Sequence, residues 1–114
     1  MNDKNNTIHV NLGQEFSKYP AGRVKSDGPH SGERFRDDIL IPLLEGSHSV
    51  EVLLDDGVIG YGSSFLEECF GGLVRKGYSL EFLKKHLYLT CAQESFKFYI
   101  DEIWSYIEDQ EQRG

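Results

Sequence analysis

Two hydroxyl groups follow a pair of glycines in Gly60-Tyr61-Gly62-Ser63-Ser64 and stand directly before the run Phe65-Leu66-Glu67-Glu68-Cys69-Phe70. A loop of this kind entering a helix offers unpaired N–H groups and partial positive charge, which suit an anion. Ser64, three residues ahead of Glu67, forms an S-x-x-E pattern, in which the serine accepts from the third helical N–H and the glutamate reaches back. Gly60 and Gly62 permit backbone angles closed to other residues and let another molecule approach the main chain. An anion site, a phosphorylated serine and a tight capped turn are all compatible with this spacing. Arg23, Arg34 and Arg36 are the second group able to do chemistry, because guanidinium groups bind phosphate or carboxylate bidentately. They either converge near the serine loop or pair with Glu33, Asp37, Asp38 or Asp55.

Other chemistries find less support. The loop lacks the G-K-[ST] ending of a P-loop, and Phe65 stands where a dinucleotide fingerprint needs its third glycine. A serine nucleophile needs a base, and neither His48 nor His86 is singled out by position. Asp55 and Asp56 are adjacent, so on a strand they point to opposite faces and end it rather than act as an acid and base pair. His9, His30, His48 and His86 form no metal-ligand spacing, and Cys69 and Cys91 form no C-x-x-C pair. No catalytic residue, metal or cofactor is expected, and both thiols are expected reduced.

The elements that must position these groups follow from periodicity. Thr7-Ile8-His9-Val10-Asn11-Leu12 alternates as a half-buried strand with Ile8, Val10 and Leu12 inward. Residues 16–24 hold aromatics and a Pro-Ala-Gly turn, favouring a second short bent strand or hairpin arm. Ser31 caps a helix with Phe35, Ile39, Leu40, Leu43 and Leu44 at helical spacing, kinked or ended near Ile41 by Pro42. Residues 49–55 read as a central strand. The helix after the serines buries Leu66, Phe70, Leu73 and Val74 and stops at Gly77; the costly Gly71-Gly72 pair inside it implies close packing, at Gly71 in particular. A short helix over 79–86, a strand over 87–92 and a final helix of about eighteen residues with the stripe Phe96, Ile100, Ile103, Ile107 complete an α/β pattern.

The chain of 114 residues suits one domain, read as a disordered tail over 1–6 and a single domain over 7–114. Twelve Lys plus Arg against nineteen Asp plus Glu give a net charge of −7, which disfavours nucleic acid and acidic membranes. Met1 to Asn6 lack the apolar core of a signal peptide and no apolar run spans a bilayer, so a cytoplasmic location is expected.

Four motifs in order, Pro20-Ala21-Gly22-Arg23, the stretch from Asp27 to Arg36, Leu40-Ile41-Pro42-Leu43-Leu44 and the stretch from Gly62 to Val74, resemble the bacterial STAS-like domain family of unknown function. The resemblance runs over most of the chain from Ile8. It implies an α/β fold, a small mixed sheet flanked by helices, similar to anti-sigma-factor antagonists and sulfate-transporter domains that act as protein-interaction switches. In those antagonists the first serine of Asp-Ser-Ser-Gly, at a helix start, is phosphorylated by a partner kinase. The resemblance places Ser63 at that position with Ser64 beside it, although Gly62 and Phe65 replace the flanking Asp and Gly. It also implies a histidine-kinase-like ATPase as partner. The expected function is a non-enzymatic regulatory interaction domain with Ser63 and Ser64 as regulatory sites and Arg23, Arg34, Arg36, Gly60 and Gly62 as anion or partner contacts. The alternative is a small nucleotide- or phosphometabolite-binding domain or enzyme using the same loop.

Overall fold

A computed structural model of the chain describes residues 7–46 and 49–114; the expected tail over 1–6 and His48 lie outside the described residues. Strands β1 (Thr7–Asn11), β2 (Ser49–Leu53) and β3 (Leu87–Thr90) lie side by side in that order. Both pairs are parallel, so the small sheet of the α/β fold is parallel throughout the described residues. Parallel neighbours need crossovers, and helices supply them. After β1 come α1 (Leu12–Glu15) and α2, which is continuous over 32–45. After β2 come α3, continuous over 63–75, and α4 (Leu80–His86). The chain closes with α5 (Lys97–Arg113).

The register explains the apolar pattern. Ile8, Val50 and Leu87 align across the sheet, as do Val10, Val52 and Leu89, and these rows face the helices. The alternate row His9, Glu51, Tyr88 points the other way. Against the inner face pack Phe35 and Leu40 from α2, Leu66, Phe70 and Leu73 from α3, and Ile103 and Ile107 from α5, all fully buried. Val74 and Ile100 are packed at the margin of that core. Leu12, expected to end the first strand, starts α1 instead and is buried there, with Asn11 as its cap.

Residues 16–24 form no strand. They run beside the entry to α2 through backbone bonds from Ala21 N to His30 O, Gly32 N to Gly22 O and Glu33 N to Arg23 O. Gly22, at φ 94°, takes this segment out of extended geometry, which is why a ladder does not propagate.

Ser31 caps α2 as expected, its Oγ accepting from Arg34 N at 3.2 Å. Pro42 does not end that helix. The turn Arg36–Leu40 is π-helical, with Ile41 N donating to Arg36 O, so the wider ring precedes the residue that has no N–H to give and the helix continues through Ile41–Glu45. Helix α3 carries its own π turn, Glu67–Gly71, between Ser63–Leu66 and Gly72–Arg75.

Helices α2 and α3 approach so closely that glycine is needed at two contacts. A Cβ on Gly32 would collide with the carbonyl oxygen of Phe65, and one on Gly72 with the Arg36 guanidinium. The close contact with another helix therefore sits at Gly72. Gly71 is buried, but a Cβ there would meet Glu67 and Arg75 of its own helix, nearest Glu67 Oε2 at 2.7 Å. Gly72→Ala is expected to destabilise the fold by about 1–3 kcal/mol, because the buried Arg36 cannot yield without losing its partners. Gly71→Ala is expected to stay within about 1 kcal/mol of the parent, since the side chain in its way is flexible and alanine favours the helix. Urea denaturation midpoints of the two variants check the contrast.

Candidate functional site

The loop over 54–62, which delivers the serines, is fixed at its base by two acids. Asp55 is buried and accepts from Ala92 N at 2.9 and 3.1 Å and from Gln93 N at 2.7 Å. Asp56 is exposed and accepts from Asn11 Nδ2 at 2.7 Å and Gln14 Nε2 at 3.2 Å. Consecutive side chains leave an extended chain in opposite directions, so one acid holds the segment after β3 and the other holds the end of β1. Both are structural, in keeping with their expected role as strand terminators.

The left-handed residue of this loop is Gly57, at φ 83°, not Gly60 or Gly62. Gly62 has ordinary extended angles and acts as the N-cap of α3, with open space around it. Gly60 is needed for proximity, because a Cβ there would stand 2.8 Å from Tyr99 Oη. The intervening Tyr61 donates its hydroxyl to Leu54 O at 2.5 Å and lies edge-on to Tyr99 with ring centroids 5.4 Å apart. Burial, then the neighbouring Cys69 thiol and Asp55, push the Tyr61 phenol well above its ordinary range, so the hydroxyl stays a donor.

Ser63 is the first residue of α3 and Ser64 the second, and both are exposed. No side chain caps this helix, so the expected Ser64 cap with Glu67 does not form. The helix starts two residues earlier than that pattern requires, with Gly62 as N-cap and Ser64 inside its first turn, and the Glu67 carboxylate is held by Arg75 Nη1 at 2.8 Å and Arg23 Nη1 at 2.5 Å. Ser63 lies beside the phenol of Tyr106, which donates to Glu102 Oε2 at 2.6 Å. Burial and that carboxylate push Tyr106 up to about 12. Beside the serine loop, Ile59 is 88% and Phe98 57% exposed, and Phe98 lies against Tyr99 with ring centroids 4.1 Å apart.

The arginines converge one turn further along α3, on carboxylates. Arg36 is buried; its Nε donates to Asp37 Oδ1 at 2.8 Å, and its Nη1 to Glu68 Oε2 at 2.7 Å and to Glu68 O at 2.8 Å. Arg23 reaches Glu67 and, at 3.5 Å, Glu68. Arg75 spans Glu67 and Glu68 and donates to Gln110 Oε1 at 2.7 Å, which adds α5 to the cluster. Arg34 stands apart, 3.9 Å from Asp38, with its Nε buried and without a hydrogen-bond partner among the described residues. Ion pairing with Asp37 and Asp38 was among the two uses the sequence left open; Glu33 and Asp55 instead bind backbone N–H groups. The hydrogen bond from Arg75, opposed by burial and aided by Arg23, holds Glu67 below its ordinary carboxylate value. Burial opposes ionisation of Asp37, yet the Arg36 hydrogen bond and charge leave it lowered too.

Sequence reasoning passed over Glu67, Glu68 and Arg75 as a charge centre, and over Ile59 and Phe98 as exposed apolar residues. A doubled glutamate on the helix that also carries an arginine eight positions beyond Glu67 was the available signal for the first. Nothing local marks Ile59 as exposed. Among the described residues no group of His, Cys, Asp and Glu could hold a metal, and Cys69 and Cys91 are free. No helix is long and apolar enough to cross a membrane.

A small parallel α/β domain agrees with what the chain matches. The family model of the STAS-like domain of unknown function (DUF4325) matches residues 31–96, more than half of the chain, and the protein belongs to that family. The match spans α2 to the turn before α5, so the Pro20–Arg23 motif lies outside it. No curated protein and no solved structure gives a significant match.

Removing the Arg36 guanidinium takes the ion-pair partner from half-buried Asp37 and the nearest one from half-buried Glu68, so Arg36→Ala is expected to cost about 3–5 kcal/mol in urea unfolding. Because Glu67 titrates below its ordinary 4.5 in the folded chain, its contribution is present above that value and lost as pH falls through the lowered one. The stability gap between the parent and Glu67→Gln should accordingly be largest at neutral pH and narrow on acidification to about pH 3.5, as read from denaturation midpoints.

Proposed function

We propose that this protein is a non-enzymatic regulatory interaction domain that binds a protein partner through the serine loop and the adjoining start of α3, with Ser63 as the residue whose modification alters binding. The observation that carries this reading is an exposed serine pair mounted on a rigid base, flanked by the exposed side chains of Ile59 and Phe98. Exposed apolar side chains next to polar groups are characteristic of a contact surface. Phosphate on Ser63 would bring nearly two negative charges to a helix start that also lies near the Glu102 carboxylate, so a partner would meet a different charge there. The family's resemblance to partner-switching antagonists supports the same role for Ser63, and a histidine-kinase-like ATPase is the partner class it suggests.

The chemistry around Ser63 favours binding over catalysis. The phenol beside it, that of Tyr106, stays protonated at neutral pH and cannot take a proton from a serine nucleophile. Arg23 and Arg36, which would have held a phosphometabolite, are occupied by carboxylates. The runner-up, a nucleotide- or phosphometabolite-binding domain, predicts a rise in melting temperature with such ligands.

With a purified histidine-kinase-like ATPase from the same genome as probe, Ser63→Asp is expected to change affinity by about tenfold or more while the circular dichroism spectrum is unchanged. Ser64→Ala should leave stability within about 0.5 kcal/mol of the parent, because Ser64 caps nothing. Equal affinity of the parent, Ser63→Asp and Ser63→Ala, together with stabilisation by a nucleotide in a thermal-shift series, would replace the proposal with the runner-up.

A further inference from the structure

The strand order β1-β2-β3 has a consequence for the far side of the sheet. Successive parallel strands added in one direction by right-handed crossovers place both sets of connecting helices on one face. The core is on that face, and the other face carries Thr7 and Ser49, then His9, Glu51 and Tyr88, then Asn11, Leu53 and Thr90. Tyr88 is 45% exposed, the His9 side chain 72% and that of Glu51 33%. Parallel sheets are ordinarily covered on both faces, whereas among the described residues the helices cover one, and on the other Ser49 is buried while His9 and Tyr88 are exposed.

We propose that this outer face is the docking surface for a basic amphipathic helix of a partner protein. Three strands spaced about 4.8 Å apart, two of five residues and one of four at about 3.3 Å per residue, present a rectangle that one helix of about 10 Å diameter covers. Stacking a second copy would bring two acidic faces of chains with net charge −7 together, which argues against self-pairing. Charge selects the sign of the partner. Glu51 lies on the face, and Glu15 and Asp56 stand at the end where β1 and β2 finish; His9, bound to Glu51, is the facing base, and Lys85 lies at the opposite rim, where its carbonyl accepts from Tyr88 Oη at 3.0 Å. A shallow groove lined by His9, Asn11, Glu15, Glu51, Leu53 and Thr90 crosses this acidic end. Leu53 and Tyr88 supply the apolar contact, and lysines or arginines flanking the partner's apolar stripe would answer the carboxylates. This surface is separate from the serine loop and does not depend on the role of Ser63.

The test uses the full chain, isotopically labelled, and two synthetic helices of roughly 18 residues with the same leucine stripe, one bearing lysine and the other glutamate at the polar positions. The lysine peptide is expected to shift the amide resonances of His9, Glu51, Leu53 and Tyr88 and to bind at least about tenfold more tightly than the glutamate peptide. Glu51→Gln should weaken it about threefold, and Glu51→Gln with Tyr88→Ser about tenfold or more, with melting temperatures checked so that a folded single variant remains to decide the matter. Shifts centred on Ile59 and Phe98, shifts scattered over the acidic surface, equal binding of both peptides, or binding of neither would overturn the proposal. Failure of the Ser63 substitutions to alter partner affinity would leave this result standing, and the reverse holds as well.

Discussion

The architecture depends on one buried guanidinium. Arg36 leaves the π turn of α2 and spends its donors on Asp37 beside it and on the side chain and carbonyl of Glu68 in the π turn of α3. Burying a cation is tolerable only when its hydrogen bonds are met, and here they are met by the helix it packs against. The same contact dictates the small residue at Gly72, and a second glycine, Gly32, lets the two helices touch one turn away. Glu67, next in sequence to Glu68, extends the pairing to Arg23 and Arg75, and Arg75 carries it to α5 through Gln110. One charged contact thereby fixes the mutual position of three helices.

That arrangement assigns the polar residues of α3 to two separate tasks. The first turn, with Ser63 and Ser64, is exposed, and the next, with Glu67 and Glu68, is consumed by arginines. The loop leading to the serines is equally determined, since Asp55 and Asp56 hold it to both neighbouring strands and Tyr61 ties it back to Leu54. The serines consequently project from a base held by these bonds, and in the proposed role such a fixed base would lower the ordering cost of association.

Much of this was legible in the residues. Periodicity located β1, β2, α2, α4 and α5 and their buried sides, because apolar spacing of two or near 3.6 registers directly in a local window. The Ser31 cap was readable for the same local reason. What escaped was decided at long range. The S-x-x-E pattern at Ser64 forms no cap because the helix already begins at Ser63 with Gly62 as its N-cap, and Glu67 answers to Arg23 and Arg75, which a local pattern does not see. Pro42 was expected to end or kink its helix; the helix does not end there but continues through Ile41–Glu45 after the π turn Arg36–Leu40. Arginines near glycine turns looked equally suited to a ligand or to ion pairs, and only the crossing of α2 and α3 distinguishes the two. The close contact implied by Gly71-Gly72 was real, but which of the pair met the other helix depends on rotation of α3 by a single residue.

The sheet itself has no hairpin. Each pair of neighbouring strands is separated by roughly 40 residues of chain, so every ladder closes a long loop before it gains a single hydrogen bond. Such pairings carry high contact order and form late and slowly. The contacts around Arg36 are as distant in sequence, since Arg23 meets Glu67 across 44 residues and Arg36 meets Glu68 across 32. A newly synthesised chain must therefore keep three apolar strand segments apart from other chains until long-range contacts of both kinds are in place.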